Sequence, residues 1–218
     1  MASHDKAKRG IPSKGDFNLW YPAIVEIADL VDKRYPIKGM DVWKPYGWKA
    51  MMLIDGLTRA EMDRTGHEEY NFPLLVPEDL LEKENRLVEE EAGFKKEVYW
   101  VKHAGENELE LPMFLRPTSE TPMYTMFPLW VRSHGDLPLK TFQIVNTFRY
   151  ETKQTRSFIR VREIHFFEAH TAHKDQEGAD AQIEEDAIIV QNLLHDLCFP
   201  AIVSKRPVWD TFPGAWFS

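Results

Sequence analysis

Bulky apolar residues recur at spacings of three and four along 17–31 (Phe17, Trp20, Ile24, Ile27, Ala28, Val31), which predicts a helix whose regular part begins near Pro22. Residues 35–47 are punctuated by Pro36, Gly39, Pro45 and Gly47 and predict extended chain with turns. From 48 to 64 no proline intervenes, and Met51, Met52, Ile54, Leu57, Ala60 and Met62 fall at helical intervals, with Gly66 as a stop. Residues 67–77 predict a short strand closed by prolines, and 78–92 a charged helix with its acidic run toward solvent. Two strands follow, over 97–103 and 110–117, around the turn "AGEN". A helix is predicted near 123–133, strands over 141–151 and 158–170, and a long amphipathic helix over 175–197. Ala179, Ile183, Ala187, Val190, Leu194 and Leu197 form that helix's apolar face, and its start is acidic, as the helix dipole favours.

The last strand pair is unusual because it interleaves arginine, glutamate and histidine with bulky apolar residues. Alternate side chains of a strand share a face. On the first strand Gln143, Val145, Thr147, Arg149 and Glu151 point one way, and Phe142, Ile144, Phe148 and Tyr150 the other. On the second, Arg160, Arg162, Ile164, Phe166, Glu168 and His170 share a face. A polar loop, 152–157, with Lys153 and Arg156 joins them as an antiparallel pair. Such a face can hold a guanidinium against a phosphate and carboxylates against an amine over an aromatic floor. It also suits cross-strand ion pairing on a solvated sheet, and the two readings carry about even weight on this stretch alone.

Composition narrows the class. The chain has 218 residues, 43% of them hydrophobic, enough for one good core. No apolar run of about eighteen residues predicts a membrane span. Cys198, the single cysteine, excludes an internal disulfide and multi-cysteine zinc sites and sits with a cytoplasmic location. Its place on an apolar helix face predicts a buried, inert thiol. The charged segment 1–15 reads as a flexible tail. A net charge of −8 argues against a broadly basic surface but leaves room for a locally basic groove.

At this point the residues carry a pattern. "FRYE", a polar loop and "RVREIHFFEAH" resemble motif 2 of the class II aminoacyl-tRNA synthetases. Residues 39–77 resemble motif 1, a long helix and strand with a proline at the dimer interface. "RPTSETPMY" resembles the T-x-E segment of the prolyl-tRNA synthetase family, and "FKKEVYWV" its archaeal and eukaryotic-type branch. The resemblance implies an α+β fold, an antiparallel sheet flanked by helices. It implies a partial catalytic domain over 16–218, ending before motif 3 and without the anticodon-binding domain. It implies ATP-dependent activation of L-proline and transfer to tRNA(Pro), with homodimerisation through Pro45 and the following helix. A non-catalytic binding or dimerisation module, or a threonine or serine enzyme of the same class, are the alternatives.

By the same resemblance, Arg149 clamps the α-phosphate and carboxylate. Thr118 and Glu120 meet the proline ammonium, Phe166 and Phe94 pack on the ring, and Glu168 and His170 complete the wall. Glu151, Arg160 and Val161 contact ATP. Magnesium is expected with ATP, without an identified ligand in the chain. Plainer readings stand beside these: Thr118 as a helix cap, Phe166 as core, His170 and His173 as surface hydrogen-bonding groups and not a metal pair. Arg156, Lys153 and Arg160 suit either tRNA phosphates or a solvated loop.

Overall fold

The computed structural model describes residues 10–80, 97–150, 155–204, 206 and 209. It divides into two compact units, Met1–Asp55 with Glu151–Glu163, and Gly56–Tyr150 with Ile164–Ser218.

In the first unit helix α1 (Phe17–Ile27) starts five residues before Pro22, contrary to the sequence expectation. The Asp16 carboxylate accepts from the Leu19 N–H and supplies the missing N-terminal partner, so the helix starts there and carries Pro22 inside it. It also ends earlier, and Val31 lies on β1 (Val31–Asp32), which pairs antiparallel with β2 (Val42–Trp43). Helix α2 (Pro45–Arg64) begins on Pro45 and not at 48, because proline's fixed φ and missing N–H suit a first helical position. Gly66, at φ +75°, follows its end as expected.

The second unit holds two sheets. In one, β6 (Asn107–Leu115) lies between β4 (Leu75–Pro77) and β5 (Tyr99–Ala104), antiparallel to both, with a turn joining Ala104 to its partner Asn107. In the other, β7 (Leu139–Phe148) lies between β3 (Glu68–Glu69), parallel to it, and β8 (Glu163–Ala172). The stretch 67–77, expected as one strand, thus gives one short strand to each sheet. Helix α3 (Glu120–Trp130) starts three residues before the expected 123, since Pro122 is tolerated in a first turn. Helix α4 (Gln176–Asp196) begins as expected, capped by Asp175 onto the Gly178 N–H. Residue 78 opens a helical stretch, but most of the helix expected over 78–92 lies outside the described residues.

Three apolar clusters hold this unit together. Met62, Phe142 and Ile189 join α2, β7 and α4. Phe72, Met123 and Phe127 pack with Tyr70 and Trp130 under α3. Val76, Val98 and Phe114 with Trp100 fill the β4–β6–β5 sheet. Helix α4 is rotated from its expected face: Gln182 and Ile189 are buried, whereas Ile183 and Val190 are exposed. Gln182 Nε2 lies 3.4 Å from His67 Nε2, and Lys140 Nζ donates to Glu185, so polar contacts to neighbouring elements set that rotation against the apolar count. Cys198 lies beyond the helix at φ +53° and is exposed, so the buried, inert thiol is not what the fold provides.

Candidate functional site

Gln143 on β7 meets Glu168 on β8, and Thr141 meets His170: Gln143 Nε2 donates to Glu168 Oε1 (2.9 Å), and Thr141 Oγ1 to the His170 carbonyl (2.8 Å). Numbers rise along β7 as they fall along β8, the antiparallel sense expected of this pair. Phe142 on the other face of β7 goes into the core, and Phe167 lies 6.2 Å from it, ring to ring. The polar face is therefore Gln143, Arg149, Phe166, Glu168 and His170, with the segment before α3 laid over it.

Glu168 is the hub and is 8% exposed. Its Oε1 takes Gln143 Nε2; its Oε2 takes the Ser119 N–H (3.2 Å), His170 Nε2 (3.2 Å) and lies 3.4 Å from Thr118 Oγ1. Burial pushes its carboxyl up, but the hydrogen bonds from His170, Ser119 and Gln143 outweigh burial and hold it below the ordinary carboxylate value. An ionised Glu168 only accepts, so His170 Nε2 carries a proton. In the neutral ring His170 Nδ1 then accepts from the Tyr124 hydroxyl, 3.1 Å away.

Thr118 Oγ1 donates in a short hydrogen bond to Glu120, which leaves the hydroxyl's lone pairs as acceptors. Ser119 is the helix N-cap and makes no side-chain cap bond, so Thr118 is bound to the carboxylates and not to capping α3. Arg149 donates from Nε to the Pro117 carbonyl (3.1 Å), and its guanidinium carbon sits 6.0 Å from the Phe166 ring centre. Pro117 through Glu120 thus touch both Arg149 and Glu168. Phe166 is half-buried and engaged by Arg149 rather than lost in the core.

The structure brings together Thr118, Glu120, Arg149, Phe166, Glu168 and His170, all within one compact unit. Arg160 and Val161 belong to the other unit. Arg160 pairs with Arg156 in an isolated bridge and is not on the strand, which begins only at Glu163. Phe94, Glu151 and Lys153 lie outside the described residues. Among the described residues no group of three or more His, Cys, Asp or Glu is placed to hold a metal ion.

Four contributors have no role in the sequence reading, although it places Gln143 on the charged strand face. Gln143 is fully buried, donates to Glu168 and Ser119 Oγ (2.7 Å) and accepts from the Phe72 N–H (3.1 Å). Arg116, 5% exposed, donates to the carbonyls of Phe72 and Asn146, while its own backbone bonds Leu74 and Phe148. Burial lowers its pKa, and Glu168 opposes that. Ser119 and Tyr124 are the other two. A polar residue amid an apolar central strand signals Gln143, and Tyr124 lies one helical turn after Glu120; the partners of Arg116 leave no local trace.

The sequence and the fold match a known group. Residues 99–213 match the family described as tRNA synthetase class II core domain (G, H, P, S and T), and the chain belongs to that family. Within it, the relatives are proline--tRNA ligases. That of Thermoplasma volcanium is 55% identical over 205 residues, covering 94% of this chain and 44% of the relative. That of Thermococcus kodakarensis is 57% identical over 204 residues, 93% and 42%. Among solved structures, Giardia lamblia prolyl-tRNA synthetase in complex with prolyl-adenylate superposes with TM-score 0.88 at 42% identity, covering 94% of this chain and 40% of that one. The Cryptosporidium parvum enzyme complexed with halofuginone and AMPPNP gives 0.83 at 31%, covering 92% and 39%. The chain thus spans less than half the length of the curated relatives it matches, and the expected class II α+β fold is the one observed.

Proposed function

We propose that this chain carries the amino-acid-activating pocket of a proline–tRNA ligase, which joins L-proline to ATP and passes the prolyl group to tRNA(Pro). The observation that carries this reading is the convergence of Thr118, Glu120, Arg149 and Phe166 around Pro117, with Glu168 and His170 locked beneath. Proline offers two N–H donors on a secondary ammonium, one carboxylate and a saturated ring. Thr118 Oγ1 and the Glu120 carboxylate accept from the ammonium. Phe166 is the floor for the ring, and Phe94 is assigned to the same ring on family resemblance alone. Arg149, its plane set by Pro117 and Phe166, presents a guanidinium to the carboxylate and the α-phosphate that the carboxylate attacks. Such a displacement asks for orientation and neutralised charge rather than a covalent intermediate with the protein.

Glu168 holds the wall: buried and accepting on both oxygens, it fixes Ser119, Thr118 and His170 rather than reaching solvent. Glu151, Arg160 and the Val161 backbone are assigned to ATP on family resemblance. Magnesium would travel with the ATP phosphates, whose charge it would neutralise. Self-association through Pro45 and α2 fits the exposed Tyr46, Trp48, Met52 and Leu53 near the helix start. No helix among the described residues is long and apolar enough to cross a membrane, and a cytoplasmic location accords with the reaction.

ATP–pyrophosphate exchange across the standard amino acids tests the reading. Exchange that depends on L-proline is expected. Exchange with threonine or serine instead would reassign the substrate, and no exchange despite proline binding would make the chain a binding module. Alanine and cysteine are expected as weaker substrates, since a ring-sized pocket rejects smaller side chains only modestly.

A further inference from the structure

The loop 155–163 is held in place from within its own unit by two earlier segments. Its ends meet through Arg156 N–H to the Arg160 carbonyl (2.7 Å) and Arg160 N–H to the Arg156 carbonyl (2.8 Å). From α1, the rings of Phe17 and Tyr21 lie 5.4 and 5.9 Å from the Arg156 guanidinium carbon, and Asn18 Oδ1 accepts from Arg156 Nη2 (2.8 Å). Tyr21 OH donates to the Ser157 carbonyl (2.9 Å). Burial raises the Tyr21 pKa and Arg156 opposes the rise, as a cation against that ring must.

The second segment, around β2, takes the other side. Ser157 Oγ donates to Asp41 in a short hydrogen bond, and the Gly39 carbonyl accepts from the Arg162 N–H (2.8 Å). Gly39 sits at φ +78°, and a Cβ there would lie 2.9 Å from Thr155 Cγ2 and 3.0 Å from Arg162 Cγ. At the tip Phe158 has φ +64°, rare for a bulky residue, while its ring packs edge-on against Trp43 at 4.7 Å. A conformation disfavoured locally persists where its surroundings over-determine it.

We infer that α1 and the turn around Gly39 form a clamp that sets the loop 155–163, with Arg156 as its latch and Phe17, Asn18 and Tyr21 as positioning residues. Arg156 is then neither a tRNA phosphate contact nor a solvated loop charge. The clamp's part in the reaction rests on the proposed function: by fixing the loop it fixes Arg160 and Val161, the residues assigned to ATP, while leaving proline recognition alone.

Amide hydrogen exchange of the 218-residue chain, read by NMR, tests the clamp independently of activity. In the wild type the Ile159, Arg160 and Arg162 amides are expected to be protected. Tyr21→Phe, which removes one hydrogen bond, and Arg156→Met, which removes the latch charge, should each speed their exchange by about tenfold or more, leaving β7 amides unchanged. AMPPNP should then bind the variants several-fold more weakly, with L-proline affinity unaltered. Unchanged exchange in both variants overturns the clamp. Weaker tRNA binding by Arg156→Met with loop exchange unchanged makes Arg156 a nucleic-acid contact and overturns it as well. Raised exchange with unchanged AMPPNP affinity overturns its part in the reaction. Failure of the wild-type chain to bind L-proline sinks the proposed function instead, and the exchange data still decide the clamp.

Discussion

The pocket on β7 and β8 and the loop 155–163 each hold an arginine against an aromatic ring, yet they are fixed by different physics. In the pocket, side chains fix one another: Gln143, Glu168, Ser119, Thr118 and His170 form a closed set of hydrogen bonds with little exposure. In the loop, backbone carbonyls and aromatic faces join two side-chain bonds, Ser157 to Asp41 and Arg156 to Asn18, in the holding, and Arg156 meets rings and an amide rather than a carboxylate. A buried polar set fails as a unit when one member is lost, because each partner is left without water to replace it. A loop held by rings and main chain loosens locally.

Perturbations should separate the two regions. Arg116→Met should be the most damaging, removing the charged donor that both the Phe72 and Asn146 carbonyls accept from and costing about 3–5 kcal/mol for the two bonds in denaturant unfolding. Gln143→Leu should cost about 2–3 kcal/mol, since it strands the Phe72 N–H and removes a donor from Glu168. That loss should also move the Glu168 carboxyl upward in a 13C titration. Gly39→Ala, on the loop side, should cost about 1–3 kcal/mol and raise exchange at Arg162 while the pocket stays intact.

A further contrast lies in pH. Burial, and then Lys140, hold His67 and His173 below the ordinary histidine value. The folded chain thus binds fewer protons than the unfolded one below about pH 6.5, the unperturbed value. Their contribution is fully present above that value and is lost as pH falls through the folded values. Asp186, raised by burial, works in the opposite sense at lower pH, and Glu185 and Lys140 complete the surroundings. Melting temperature should therefore fall between pH 7.5 and 5, and His67→Gln should flatten the decline; a flat wild-type profile would refute this. The smallest effect is expected for Tyr124→Phe, about 0.5–1.5 kcal/mol. Its signature is the His170 Nδ1 resonance, which should change while Nε2 keeps its proton.

The facing of Gln143 and Glu168 follows from strand alternation, a local rule, whereas Arg149 lies one residue past the end of β7 at Phe148 and not on the strand expected over 141–151. The second strand's start was not legible. Residues 158–162 have strand-like composition, but Gly39, Trp43 and α1 draw them into a turn through contacts more than a hundred residues apart in sequence, as with Tyr21 and Ser157. The face of α4 was misread for a related reason. Gln182 lies inside beside His67, and Lys140 pairs with Glu185 of the same helix, polar contacts between elements that hydrophobic spacing ignores. Cys198 was misplaced because the helix stops before it.

The central claim is that Thr118, Glu120, Arg149 and Phe166 enclose one proline. Titrating the 15N-labelled chain with L-proline tests it most directly. Saturable shifts at Arg149 Nε, the Thr118 amide and His170, abolished by Glu120→Gln and much weaker with L-alanine, are the predicted result. No saturable shift at these groups, or shifts that survive Glu120→Gln unchanged, would contradict it.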